Sequence, residues 1–178
     1  INSPNNPSGA IYSEETIKAL AAVLEKKSRE FGHAIFLIAD EPYRDLVYGG
    51  LTVPYPVNYY ANTIICYSYS KSLSLPGERI GYILLGPDME CKTDVYAAVC
   101  GAGRALGFVC APSLFQKVIE RCQGATGDIK AYEVNRDILY GGLTKLGYTC
   151  VHPDGAFYLF MKSPEPDDEA FCERAKKH

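Results

Sequence analysis

The stretch TIICYSYSKSLSLPGERIGYILLG, residues 63–86, sets the order of secondary structure in this chain. It contains two apolar runs, each closed by polar or turn-forming residues, and this pattern predicts two β-strands. Between them lies a polar segment with one lysine, Lys71, and with Arg79 eight residues later. A lysine set among hydroxyls directly after a strand, and close to an arginine, indicates covalent chemistry beside a phosphate rather than a surface charge.

The segments on both sides alternate between helical and strand-like patterns, which is typical of an α/β protein. Upstream, Ser13 is the predicted N-cap of an amphipathic helix that runs to about Phe31. The apolar run AIFLIAD at 34–40 then predicts a strand that is covered on both faces.

Further helices and a hairpin are predicted downstream. Helical patterns cover residues 89–106, 112–124 and 129–147, YTCVH and AFYLFMK form a hairpin-like pair around HPDG, and a short charged helix begins at Asp167. The composition changes near GATGD at 124–128, and we place a domain boundary there. Residues 1–127 are predicted to be the C-terminal part of a large domain, with a mostly parallel sheet and flanking helices. Residues 128–178 are predicted to begin a small α+β domain.

The composition argues against several classes of function. The net charge is −3, without a basic stripe, so no nucleic-acid partner is expected. The longest apolar run, AIFLIA, has six residues, far fewer than a membrane span needs. The seven cysteines are scattered without a CxxC pair, so we expect free thiols, no metal site and a reducing, cytoplasmic location. The chain begins INSPNNPSG, without an initiator methionine, and we interpret it as a fragment that lacks both ends.

Functional groups cluster at the predicted strand ends, where open α/β sheets bind their ligands. Asp40 ends AIFLIAD and Lys71 follows TIICYSYS, so a carboxylate and an amine are expected at one site. Tyr43 comes shortly after Asp40, and Arg79 lies on the turn into the next strand. This set of groups suits pyridoxal 5′-phosphate, which offers an aldehyde to an amine, a ring nitrogen to a carboxylate, and a phosphate to an arginine and hydroxyls.

Three motifs and one strand, in this order along the chain, resemble the signature segments of one enzyme family. They are NNPSG at 5–9, ADEPY at 39–43, SYSKSLSLPGERIGY at 68–82 and the strand GAFYLF at 155–160. Together they resemble the class I and II pyridoxal-phosphate-dependent aminotransferases, which have fold type I. One motif alone is a weak signal, but several in order are a strong one, and this resemblance covers the whole chain.

The resemblance implies roles for residues around the cofactor ring. Lys71 resembles the Schiff-base lysine, which also shuttles a proton during the reaction. Asp40 resembles the carboxylate that pairs with the pyridine nitrogen. Tyr43 and Asn6 resemble the pair that hydrogen-bonds the phenolate oxygen of the cofactor.

The resemblance also implies a phosphate site, a reaction and an assembly. Arg79 and Ser68 resemble the phosphate-binding residues, and Ser70 is expected to assist them. The implied reaction transfers an α-amino group between an amino acid and a 2-oxo acid, in a homodimer. Four features of the family fall outside residues 1–178. They are its glycine-rich phosphate loop, its ring-stacking aromatic residue, a tyrosine from the partner subunit and the arginine that binds the substrate carboxylate. We therefore expect this chain alone not to turn over, and the sequence does not specify the donor amino acid.

Other functions remain open from the sequence alone. Tyr67 and Lys71 form Y-x-x-x-K, the dyad of short-chain dehydrogenases, but that dyad requires one helix and the preceding run is strand-like. Domains of the aminotransferase type also occur as carbon–sulfur lyases and as effector-binding parts of transcription regulators. Product analysis distinguishes a lyase from a transaminase, and a DNA-binding segment elsewhere in the protein would identify a regulator.

Overall fold

The computed structural model describes residues 1–177 and contains one three-stranded sheet, in the order β1-β2-β3. The strands are β1 (Leu37–Asp40), β2 (Thr63–Ser68) and β3 (Gly81–Leu85). β1 and β2 are parallel, with Asp40 opposite Cys66, whereas β2 and β3 are antiparallel, with Ser68 opposite Gly81. The predicted α/β class and all three predicted strands are confirmed.

The sheet is mixed because of the connection between β2 and β3. Residues 69–80 contain a single helical turn and then double back, so β3 returns beside β2 in the opposite direction. A parallel return would need a crossover over one face of the sheet, usually on a full helix. The sheet of the described residues therefore has one parallel and one antiparallel pair, where the sequence predicted a mostly parallel arrangement.

Residues 1–177 contain six α-helices and one 3₁₀-helix. These are α1 (Glu14–Phe31), α2 (Tyr69–Ser72), α3 (Lys92–Ala105), α4 (Ser113–Arg121), α5 (Ile129–Lys145), α6 (Asp168–Ala175) and the 3₁₀-helix Pro56–Asn58. The first helix begins as predicted, because the Ser13 side chain accepts a hydrogen bond from the Thr16 N–H, and it ends at Gly32 with a φ of 71°. None of the helices in this range is long and apolar enough to cross a membrane.

Within residues 1–177, one face of the sheet is packed and the other is largely exposed. On the packed face Ala21 of α1, Leu37 of β1 and Tyr60 form a buried cluster. Leu37 is 7% exposed, whereas its neighbour Ile38 is 55% exposed, and Ile83 on β3 is 50% exposed. Successive side chains of a strand point to opposite faces, so the face that carries Ile38 stays open. The expectation that AIFLIAD is covered on both faces is therefore not met within the described residues.

The predicted hairpin at residues 148–162 forms only in part. Cys150 and Met161 form an isolated antiparallel bridge, and the Val151 N–H donates to the Phe160 carbonyl at 2.9 Å. No regular strand extends from this bridge within the described residues. The residues at the tip of the hairpin instead contact the first fifty residues of the chain.

Gly155 brings the C-terminal part of the chain against its beginning. Gly155 forms a bridge with Val47, and its N–H donates to the Gly9 carbonyl at 3.0 Å. A Cβ at Gly155 would lie 2.6 Å from the Leu46 carbonyl oxygen, so a larger residue could not approach this closely. Three segments therefore meet in one place: NNPSG, the segment that follows ADEPY, and GAFYLF. These contacts cross the predicted boundary near residue 127, which stays a prediction.

Candidate active site

The Lys71 amine lies beside two aromatic rings that contact each other. Lys71 is part of α2, the single turn that follows β2, and its side chain is half-buried. Its Nζ lies 5.3 Å from the ring centroid of Phe157 and 5.9 Å from that of Tyr43. Lys71 takes no part in the ion pairs of residues 1–177. The amine is therefore held by aromatic neighbours rather than by a carboxylate, which leaves its nitrogen available for chemistry.

Tyr43 is the centre of a small hydroxyl cluster. It is 4% exposed, and its hydroxyl lies 2.7 Å from that of Tyr158 and 3.5 Å from the Asn6 amide nitrogen, which donates to it. Burial, followed by the hydrogen bond with Tyr158, raises the pKa of Tyr43 above its ordinary value. The phenol therefore keeps its proton at neutral pH and can donate it to an anionic oxygen.

Asp40 stands at the carboxyl end of β1 and carries an exposed carboxylate. Its backbone is held by neighbours: the Asn2 side chain donates to its carbonyl at 2.7 Å. The Asp40 charge helps to raise the pKa of Cys66, after the larger effect of burial. Because Asp40 pairs with Cys66, and alternate residues share a face, Asp40 and Ser68 lie on the same side of the sheet.

Ser68 and Ser70 form the start of α2. The Ser68 hydroxyl caps the helix by accepting the Ser70 N–H at 3.2 Å, and the two hydroxyl oxygens are 2.7 Å apart. The backbone before β3 lies alongside, since the Tyr69 N–H donates to the Ile80 carbonyl at 3.2 Å. This contact brings the backbone next to Arg79 close to the pair in space, and Arg79 has a φ of 52°. Its guanidinium, however, donates to the Pro76 carbonyl at 2.7 Å rather than to a serine.

The structure thus brings together most of the residues that the sequence singled out. Asn6, Tyr43 and Lys71 share one cluster, Asp40 and Ser68 share one face of the sheet, and Ser70 contacts Ser68. The Arg79 guanidinium donates to the Pro76 carbonyl, and within residues 1–177 it forms no hydrogen bond with either serine.

Sequence reasoning missed two members of the cluster, Phe157 and Tyr158. The available signal was the adjacent aromatic pair in GAFYLF, whose contacts depend on long-range packing.

The geometry does not support the dehydrogenase dyad. Tyr67 belongs to β2 and Lys71 to α2, so the two side chains do not extend from one helix. The Tyr67 hydroxyl donates to the Asp45 carboxylate and lies 2.8 Å from the Ser72 hydroxyl.

The groups at this site match a phosphorylated aromatic aldehyde. An amine can condense with the aldehyde, a protonated phenol can donate to a ring oxygen, and a carboxylate can accept from a ring nitrogen. The neighbouring hydroxyls of Ser68 and Ser70, together with an arginine on the adjacent backbone segment, can bind a phosphate. Among residues 1–177 no group of three or more His, Cys, Asp or Glu side chains could hold a metal ion.

Comparisons with known proteins all point to the same enzyme family. The family model described as aminotransferase class I and II matches residues 1–177. The aspartate aminotransferase of Geobacillus stearothermophilus is 33% identical over 97% of this chain and 43% of its own length. The probable aspartate aminotransferase of Methanocaldococcus jannaschii is 29% identical over 99% of this chain and 45% of its own length. The chain therefore spans less than half the length of these curated relatives.

Solved structures agree with this result. A crystal structure of an amino transferase from Eubacterium rectale superimposes with a TM-score of 0.96 and 68% identity, over 99% of this chain and 44% of that one. An aspartate aminotransferase tetra mutant of Thermus thermophilus gives a TM-score of 0.82 and 30% identity, over 99% of this chain and 48% of that one. The similarity thus extends over nearly all of the residues described above.

Proposed function

The chain belongs to the class I and II aminotransferase family, and on this basis we propose that the protein carrying it transfers an α-amino group between an amino acid and a 2-oxo acid. We propose pyridoxal 5′-phosphate as its cofactor. The observation that carries the proposal is the Lys71 amine, which lies beside the rings of Tyr43 and Phe157 and outside every ion pair of residues 1–177.

The residues present fit this cofactor. The chemistry of the donor set supports the assignment, because each group complements one part of the ligand and Tyr43 is protonated, as a donor to a phenolate oxygen must be. Lys71 would bind the aldehyde carbon, Asp40 the ring nitrogen, and Tyr43 with Asn6 the phenolate oxygen. Three residues would hold the phosphate: Ser68, Ser70 and Arg79. When bound, the cofactor supplies an electrophilic carbon and a ring that delocalises the electron pair left at the substrate α-carbon.

The residues of the chain then have distinct tasks. Lys71 is the catalytic residue: as a neutral amine it takes the proton from the substrate α-carbon and later returns one. Asp40 holds a proton on the ring nitrogen, because a carboxylate beside it favours the protonated form. Tyr43 donates a hydrogen bond to the phenolate oxygen, and the hydroxyls of Ser68 and Ser70 orient the phosphate.

Domain organisation, assembly and substrate are parts of the same proposal. We assign residues 1–127 to the C-terminal part of a large cofactor-binding domain and residues 128–178 to the beginning of a small domain, as the composition change near GATGD indicates. We propose a homodimer because the resemblance to the family implies one, and a cytoplasmic location because the scattered cysteines suit a reducing compartment. Several relatives are named for aspartate, so aspartate is the first amino donor to test.

The alternatives predict other products. The relatives compared above are named aminotransferases, which favours transamination over a carbon–sulfur lyase or the effector domain of a regulator. A transaminase converts the donor to its matching 2-oxo acid, whereas a lyase releases pyruvate and a thiol from a cystathionine-type substrate. Chromatography of the products with each substrate separates the two reactions.

Lys71→Arg tests the central assignment. The protein carrying this sequence is incubated with pyridoxal 5′-phosphate, reduced with borohydride and mapped by mass spectrometry. The adduct is expected on Lys71, and Lys71→Arg should lose it together with about 10²–10⁴-fold of the amino-transfer rate. Lys145→Arg is the matched control, because Lys145 is an exposed residue in the last turn of α5. An adduct elsewhere, with Lys71 unmodified, would end the aminotransferase proposal.

A further inference from the structure

Three side chains form a hydrogen-bonded chain next to the turn that carries Lys71. Tyr67 of β2 donates to the carboxylate of Asp45, and the Tyr67 oxygen lies 2.8 Å from the hydroxyl of Ser72. Tyr67 is 9% exposed and Ser72 is 2% exposed. A buried polar network in which every member has a partner rigidifies the segments that it joins. Here it joins the loop after β1, the strand β2 and the turn α2.

The direction of these hydrogen bonds follows from the number of protons on each group. A phenol has one proton, and Tyr67 uses it in the hydrogen bond that it donates to the Asp45 carboxylate. Ser72 must therefore donate a hydrogen bond to the Tyr67 oxygen, so the hydrogen bonds run from Ser72 through Tyr67 to the Asp45 carboxylate. Burial, and then the hydrogen bond to Asp45, raise the pKa of Tyr67, which keeps this arrangement in place at neutral pH.

The turn α2 depends on such contacts. It has four residues, and a single helical turn is not stable in water by itself. The Ser68 side chain caps its start, and the Ser72 carbonyl accepts the Gly127 N–H at 2.8 Å. Ser72 is thus held by its side chain toward Tyr67 and by its backbone toward Gly127. Because Ser72 directly follows Lys71, these contacts fix the backbone from which the lysine side chain extends.

We propose that Asp45, Tyr67 and Ser72 are positioning residues for Lys71, which hold its amine beside the rings of Tyr43 and Phe157 in a direction suited to attack an aldehyde. The proposal rests on the proposed function, since it takes Lys71 as the amine that reacts with pyridoxal 5′-phosphate. In that step the Nζ forms a C=N bond with the aldehyde carbon. The aldehyde oxygen leaves as water, with both hydrogens supplied by the neutral amine.

Tyr67→Phe is the decisive variant, because it removes the central hydroxyl and keeps the ring. Tyr69→Phe is its matched control. The Tyr69 ring packs edge-on against Tyr67 with centroids 5.1 Å apart, and its hydroxyl forms no hydrogen bond within residues 1–177. Ser72→Ala is a second variant that removes one oxygen from the chain, in case Tyr67→Phe does not fold.

Two quantities separate positioning from general structural support. One is the dissociation constant of pyridoxamine 5′-phosphate, which has no aldehyde and reports binding alone. The other is the rate at which pyridoxal 5′-phosphate is trapped on Lys71 by borohydride, measured by mass spectrometry. Both are measured on the protein that carries this sequence.

The expected result is a split between the two readouts. Tyr67→Phe and Ser72→Ala should slow trapping about tenfold or more, and change pyridoxamine 5′-phosphate affinity less than about twofold. Tyr69→Phe should leave both unchanged. Unaltered trapping in Tyr67→Phe and Ser72→Ala, or an equal fall in affinity and rate, would overturn the positioning role. If Lys71 of the unsubstituted protein forms no adduct, the proposed function itself fails and the positioning role fails with it.

Discussion

Breaking the ion pair between Glu41 and Arg44 is expected to lower the free energy of unfolding by a large, measurable amount. The Glu41 side chain is 3% exposed, and the Arg44 Nε lies 2.5 Å from its carboxylate oxygen. The same guanidinium donates to the carbonyls of Val53 and Pro54 at 2.9 and 3.1 Å. Arg44 is therefore the charge partner of a buried carboxylate and a donor to two backbone carbonyls.

Arg44→Met removes these donors and keeps an apolar stem of similar length. Breaking a buried ion pair by removing one partner costs about 3–5 kcal/mol, because the remaining charge is left unpaired. We expect the free energy of unfolding, measured by urea denaturation at pH 8, to fall by that amount. Lys18→Met is the control. Lys18 and Glu14 are also 2.5 Å apart, but their side chains are 59% and 49% exposed, so solvent screening should make the loss much smaller than in Arg44→Met.

The loss in Arg44→Met should also depend on pH. Burial raises the pKa of Glu41, and Arg44 partly opposes this effect, so the variant should have a still higher Glu41 pKa in the folded state. A carboxyl whose pKa is higher in the folded than in the unfolded state binds its proton preferentially in the folded state. Stability therefore rises as the pH falls through that pKa. The deficit should be smaller at pH 5 than at pH 8. Equal losses in the Arg44 and Lys18 variants, or a deficit independent of pH, would refute the reasoning.

Three further changes test other contacts. Tyr158→Phe removes a hydrogen bond that raises the pKa of Tyr43, so Tyr43 should ionise at lower pH. A difference titration of phenolate absorbance against Tyr43→Phe measures this ionisation. An unchanged titration would contradict the prediction. Gly155→Ala should lower the free energy of unfolding by about 1–3 kcal/mol through overpacking against a backbone carbonyl. The control Gly141→Ala has open space inside a helix and should gain about 0.5–1 kcal/mol. Ser13→Ala should lose about 0.5–2 kcal/mol in the same urea assay by removing the cap of α1, and full stability would show that the cap is dispensable.

Local patterns identified much of the fold and of the candidate site. The cap at Ser13 and the helical spacing of apolar residues predicted α1, and apolar runs predicted all three strands. These signals are local, because capping and side-chain periodicity involve residues only a few positions apart. The placement of Asp40 and Lys71 at neighbouring strand ends followed from the same patterns, since parallel strands present their carboxyl ends at one edge.

Only the tertiary structure decided which side chains meet across long separations. The antiparallel return of β3, the open face at Ile38 and the contacts of Tyr158 with Tyr43 depend on how distant segments pack. So do the hydrogen bonds from Ser72 to Asp45, whose direction depends on where two hydroxyls and one carboxylate lie in space. A sequence determines which residue types are available and where local elements begin and end. The contacts among them depend on the simultaneous packing of segments more than a hundred residues apart, such as Tyr43 and Tyr158.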